Sequence, residues 1–124
     1  MVTPLRIVVC GLGRSEAARA ARLVADGAEV RELSDVEAAM ALRDGMADLL
    51  IGVCQSGAGA ALAMAVGLVG RDRTMIASRM GRSIESEEIA TGITSGKVAF
   101  GVAIDQIDVA VPRIVRARLA ADRG

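Results

Sequence analysis

A chain of 124 residues, 52% apolar, is sized for one domain with a real core. Fifteen basic side chains balance fifteen acidic ones and Phe100 is the only aromatic residue, which excludes a stacking surface for nucleic acid and any field toward an anionic membrane. Histidine is absent, so zinc sites and Ser–His triads are excluded, and Cys10 and Cys54, set in apolar runs, fit reduced thiols of a cytoplasmic protein.

Met1 to Arg6 shows no signal-peptide cleavage pattern. Leu5 to Cys10 reads as a first strand, continuous and buried in type, and Arg14 to Asp26 as a helix stopped by Gly27. Ala28 to Glu32 is a second strand whose charges suit a sheet edge. Ser34 and Glu37 form a capping box that opens a helix running to about Arg43. Leu49 to Cys54 is the central third strand. Gly57 to Val69, apolar on every side, predicts a helix buried all round, with one face against another subunit in a homodimer or higher oligomer. Leu49 to Gly70 carries no charge over 22 residues, the length of a membrane span, but the turn Gln55-Ser56-Gly57-Ala58-Gly59 interrupts it. No membrane partner is expected. Arg73 to Ala77 is strand four, Ser78 to Ser83 a loop, and Ile84 to Thr94 a polar helix. Lys97 to Ile104 contains strand five, and Asp105 is placed to cap a last helix that Pro112 kinks or restarts.

Short strands alternating with helices predict a single three-layer α/β domain with a five-stranded parallel sheet. The simplest strand order is 2-1-3-4-5, Rossmann-like or flavodoxin-like. In such a sheet ligands bind where the order reverses, here between strands one and three. The turns after those strands contain Gly11-Leu12-Gly13 and Gly57-Ala58-Gly59, whose backbone groups can approach a ligand ahead of a helix N-terminus. Arg14 opposes the dipole of its own helix, a conflict that a bound anion removes, and Arg79 and Arg82 repeat the arrangement before the fourth helix. Tight turns and solvated arginines would give the same pattern without a ligand. The first turn has the start of a dinucleotide fingerprint, with Glu32 at the end of the next strand. Glu16, however, stands in place of the third glycine, so no nicotinamide or other cofactor is expected.

Cys54 ends strand three directly before its turn. A thiol beside a helix N-terminus can serve as base or nucleophile, whereas one in apolar surroundings is inert, and both readings stand for Cys54. Cys10 reads as structural. Neighbouring strands would bring the two close enough to consider a redox pair, but nothing else in the sequence supports one.

The stretches Asp35 to Met40, Ile51-Gly52-Val53-Cys54-Gln55-Ser56-Gly57-Ala58-Gly59-Ala60-Ala61-Leu62 and Gly96-Lys97-Val98-Ala99-Phe100-Gly101 resemble the YhfU-like proteins, a small bacterial family of unknown function. That resemblance implies a cytosolic bacterial protein and supplies no reaction. Ala47 to Gly70 is also similar to the central segment of B-type ribose-phosphate isomerases and their galactose-phosphate relatives. Those enzymes are Rossmann-like dimers with a Cys-Gly-Thr-Gly turn before a small apolar helix. The resemblance implies Cys54 as the proton-moving base and Ser56, Gly57, Ala58 and Gly59 as the pocket for an enediolate. Gln55 replaces a glycine of that motif, and the histidines of those enzymes have no counterpart here.

The leading expectation is a protein binding a small anionic metabolite, phosphorylated or carboxylated, through Gly11, Gly13, Arg14, Gln55, Ser56, Gly57, Ala58, Gly59, Arg79 and Arg82, with no metal. One alternative is an aldose–ketose isomerase-like enzyme using Cys54, with Glu16, Asp35 or Asp105 as the second proton-handling group. Another is a non-catalytic oligomeric subunit.

Overall fold

The computed structural model describes residues 3–124, so Met1 and Val2, the start of the segment read as lacking a leader, lie outside it. Five parallel strands form the sheet: β1 (Arg6–Gly11), β2 (Glu29–Glu32), β3 (Leu49–Cys54), β4 (Thr74–Ile76) and β7 (Ala99–Ala103). A separate antiparallel hairpin, β5 (Ser78–Arg79) and β6 (Arg82–Ser83), replaces the expected loop. The helices are α1 (Arg14–Val24), α2 (Asp35–Arg43), α3 (Ala60–Val69), α4 (Ser86–Thr94) and α5 (Ile107–Arg123).

The parallel five-stranded α/β sheet is the expected one, but its last two strands are exchanged. The order is β2-β1-β3-β7-β4, with the last strand in the chain lying between β3 and β4. Burial explains the exchange. All five residues of β7 are buried and uncharged, as an interior parallel strand requires, whereas β4 has three residues, half-buried at Met75 and Ile76, behind Arg71-Asp72-Arg73. Right-handed crossovers then decide the faces. Leftward steps (β1 to β2, β4 to β7) put α1 and α4 on one face with α5, and rightward steps put α2 and α3 on the other.

Each face has its own core. Ile7, Val9, Ile51, Val53, Phe100 and Val102 meet Ala17, Ala21, Ile89, Val111 and Ile114 on the first face. Val8, Cys10 and Leu50 meet Ala38, Ala39, Leu42, Ala61 and Ala65 on the second. With one aromatic side chain in the chain, small helix residues keep these layers close.

Local chemistry follows the sequence in most places. The capping box forms, Ser34 Oγ accepting from Glu37 N and Glu37 Oε1 from Ser34 N, both at 3.2 Å. The last helix departs from expectation: it starts on Gln106 without a side-chain cap and runs unbroken past Pro112. Asp105 instead accepts the Gly81 N–H at 2.7 Å, because the hairpin brings that donor to it. Within the single chain α3 buries only Ala61, Leu62 and Ala65, while Ala63 and Gly67 are exposed, so it is not enclosed all round. The uncharged stretch divides into β3, a turn and α3, and among the described residues no helix is long and apolar enough to cross a membrane.

Candidate functional site

At the carboxyl end of the sheet β1 leads to one face and β3 to the other, so a crevice opens between them. The strand exchange creates a second divergence, between β3 and β7. There the backbone fills the gap: a Cβ on Gly57 would strike the Ser78 carbonyl oxygen, one on Gly101 would strike that of Gly57, and Ser78 Oγ accepts from Ala103 N at 2.9 Å. Only the first crevice stays open.

That crevice is a cleft of about 430 Å³ lined by Gly11, Leu12, Arg14, Ser34, Asp35, Val53, Cys54, Ala60 and Ala61. Three connections build it. After β1, Leu12 N donates to Val53 O at 3.0 Å, fastening the first turn to β3, and Gly11 lies so close to the Val53 carbonyl that a side chain there has no room. Arg14 opens α1 and donates from Nη1 to Leu33 O at 3.0 Å, which ties it to the second connection. After β2, the capping box sets Ser34 and Asp35 at the rim. At the end of β3, Cys54 lines the cleft half-buried, and the turn to α3 follows it.

The Cys54 sulfur is the acceptor around which the third turn folds. Gly57 N and Gly59 N both donate to Sγ at 3.0 Å, and Ser56 Oγ lies 4.0 Å away. Gly59 leaves room beside it, since a Cβ there would sit 3.0 Å from the sulfur and push it by a few tenths of an ångström. Ala58 N donates to Ser56 Oγ at 3.3 Å. Three N–H groups that the resemblance assigns to an enediolate pocket are therefore engaged within the turn itself. The opening residues of α3, Ala60 and Ala61, face the cleft instead, at the end of the helix where N–H groups lack intrahelical partners.

Cys10 also lies on the side of α2 and α3, opposite Gly52 in the neighbouring strand, and is fully buried. Burial pushes its thiol up to about 12, with the nearby Asp35 carboxylate adding to the effect. Both cysteines are free.

Of the residues singled out in the sequence, the structure brings Gly11, Arg14 and Cys54 into one cleft and adds Asp35 from the three candidate second groups. Asp105 is held by Gly81 at the hairpin, and Glu16 is an exposed residue of α1. Gly13 faces Ile104 and Ile107 rather than the cleft. Arg79 and Arg82 line a different cavity, of about 220 Å³, with Ile76, Ser78 and Ile84. Glu32 accepts from Ser15 Oγ at 2.6 Å. Sequence reading missed Leu12, Ser34, Val53, Ala60 and Ala61 as lining residues. The capping box was a usable signal for Ser34, but nothing in a run of alanines marks its first two as open to a cleft.

Residues 5–118 match the family model described as "Protein of unknown function DUF2620". The uncharacterized protein YhfU of Escherichia coli K12 is 36% identical over 111 residues, covering 89% of this chain and 95% of that protein. YhfU of Shigella flexneri matches to the same extent. Among solved structures, type B ribose 5-phosphate isomerase of Trypanosoma brucei is similar with a TM-score of 0.72 at 15% identity, covering 94% of this chain and 86% of that one. The type B ribose 5-phosphate isomerase of Leishmania infantum gives 0.67 at 13%, covering 94% and 82%. At such identities the likeness concerns the fold.

Proposed function

We propose, from the premise that the chain belongs to the DUF2620 family, that its Cys54 cleft receives a small anionic metabolite, phosphorylated or carboxylated. One observation carries this reading: at the crevice between β1 and β3, the Arg14 guanidinium and the open start of α3 line the same cleft as Cys54. An anion there meets a positive side chain and the positive end of a helix dipole, and it relieves the repulsion between Arg14 and the start of α1. Gly11 lines the cleft itself, whereas Gln55, Ser56, Gly57, Ala58 and Gly59 lie outside its lining and act through the turn that links Cys54 to α3. A thermal-shift screen against sugar phosphates and small carboxylates tests it. Arg14→Ala should weaken a hit by roughly 1.5–3 kcal/mol, the loss of a charge-assisted contact, and Arg14→Glu more. Equal affinity in wild type and Arg14→Glu removes Arg14 from the site.

A second reading, an aldose–ketose isomerase-like reaction, is favoured by Asp35 and Cys54 lining one cleft. Cys54, as thiolate, would take the proton from the carbon beside the substrate carbonyl and return it to the adjacent carbon. Asp35 would pass the hydroxyl proton between the two oxygens, leaving the redox state unchanged. Cys54→Ser should keep binding while abolishing exchange of solvent deuterium into a bound sugar phosphate. Undiminished exchange in that variant sinks the mechanism and leaves the binding site standing.

A further inference from the structure

The β5–β6 hairpin places Ser78 opposite Ser83 and Arg79 opposite Arg82. Like charges facing each other across two strands destabilise the pair, so this ribbon carries a built-in repulsion. Among the described residues neither arginine takes part in an ion pair, and Asp105, the carboxylate at the hairpin tip, is engaged by the Gly81 N–H at 2.7 Å.

The ribbon is nevertheless held firmly. Ser83 Oγ donates to Gln106 Oε1 at 2.8 Å, Ser78 Oγ accepts from Ala103 N at 2.9 Å, and Ile84 N donates to Ala77 O at 2.9 Å. The first two fix it to the start of α5 and the end of β7, and the third closes the base of the ribbon itself. Two cations are thus kept side by side, over a cavity of about 220 Å³ walled by Ile76 and Ile84.

We propose that Arg79 and Arg82 form an anion site of their own, separate from the Cys54 cleft, that takes a phosphate group. Each planar guanidinium can donate two parallel N–H bonds to phosphate oxygens, and a doubly charged group between two cations turns repulsion into attraction. The phosphate is either free or the end of a monoester, whose remaining atoms would lie against the isoleucine walls.

The test is a titration of the nitrogen-15-labelled protein with inorganic phosphate and, separately, glycerol 3-phosphate, against sodium chloride at equal ionic strength. The Gly81 amide and the Nε–H signals of Arg79 and Arg82 should shift together and saturate with either phosphate. Tighter binding of glycerol 3-phosphate identifies a monoester site, and tighter binding of inorganic phosphate a site for the free ion. R79A should weaken saturation at Gly81 about tenfold or more, the loss of a charge-assisted bond. R79A/R82A, checked for an unchanged amide spectrum elsewhere, should abolish it, and R14A should leave it unchanged. Shifts no larger than those in chloride, saturation surviving in R79A/R82A, or loss of saturation in R14A would each overturn the proposal. Since the signals are local to the hairpin, failure here is distinguishable from failure at Cys54.

Discussion

At Gly57 the backbone has φ +86° and the missing Cβ would occupy the Ser78 carbonyl. Gly57→Ala therefore combines a left-handed conformation with a clash that the sheet end cannot relax, and it should destabilise by about 2 kcal/mol or more. Gly45 provides the control: its φ is +75° but its Cβ would meet nothing within 4 Å, so alanine there should cost only about 1–2 kcal/mol. Denaturant unfolding of both variants measures the difference, and equal losses would mean that the Gly57–Ser78 approach is soft. The cysteines separate in a similar way. Cys10 is fully buried with its thiol at about 12, whereas Cys54 is half-exposed in a cleft, so iodoacetamide should modify Cys54 in the native protein and Cys10 only on unfolding. Peptide mass spectrometry reads this, and comparable native rates would remove the reason for treating Cys54 as chemically special. The sequence showed that Cys54 precedes a glycine turn. It did not show that the turn's N–H groups fold back onto the sulfur, because that depends on the spatial path of five residues rather than on their identities.

The strands are joined at the opposite end of the sheet by a bidentate pair. Arg6 donates to Asp48 from Nε at 3.1 Å and Nη2 at 3.0 Å, and its backbone N–H adds a bond at 2.9 Å. The Arg6 side-chain hydrogen bonds hold the Asp48 carboxyl below its usual range, against the opposing effect of burial. A carboxyl depressed in the folded state contributes stability that is fully present above its unfolded value and lost as pH falls through the folded one. Acid unfolding should accordingly include a step below about pH 4 that Asp48→Asn flattens, while wild type and variant differ by a constant amount near neutrality. An unchanged acid limb in the variant would show that the pair contributes nothing to the pH response. Element types were legible from periodicity, and so was the capping box at Ser34. The exchange of β4 and β7 was not, since both runs are apolar and only burial in the assembled sheet distinguishes a five-residue interior strand from a three-residue edge. The hairpin was hidden for a related reason: its strands are two residues each, too short to show alternation.

Across the whole molecule the two faces differ most at α3, because exposed apolar side chains occur on both (Leu23 of α1 is 80% exposed) and so do exposed charges (Glu37 and Arg43 of α2). The α1, α4 and α5 face carries Arg19, Arg22, Glu87, Glu88 and Arg116 in exposed positions. On the α2 and α3 face, Val36 is 46% and Met40 41% exposed, Ala63 and Gly67 are open, Met64, Val66 and Leu68 are half-buried, and α3 has no charge at all. We propose that a second copy of the chain covers this layer through a two-fold interface. A face that meets itself must tolerate each of its own residues opposite another copy of the same set, and an uncharged helix does so without repulsion. Covering Val36, Met40, Met64 and Leu68 would remove from water the large apolar side chains that this layer leaves open or half-open, each contributing up to about 1.5–3 kcal/mol. Met64→Asp would place two buried negative charges near the axis and should convert a dimer to monomers or aggregates, while Arg116→Asp on the charged face should leave the mass unchanged. Analytical ultracentrifugation of both variants beside the wild type reads the outcome. A wild type that sediments as a monomer at high concentration defeats the interface altogether, and a Met64→Asp variant that stays dimeric moves it to another surface. Because Ala60 and Ala61 open both this helix and the Cys54 cleft, a monomeric variant should also show whether the cleft keeps its shape without the partner. Retained ligand binding in the monomer would make the site self-contained, in keeping with its construction from three connections of one chain.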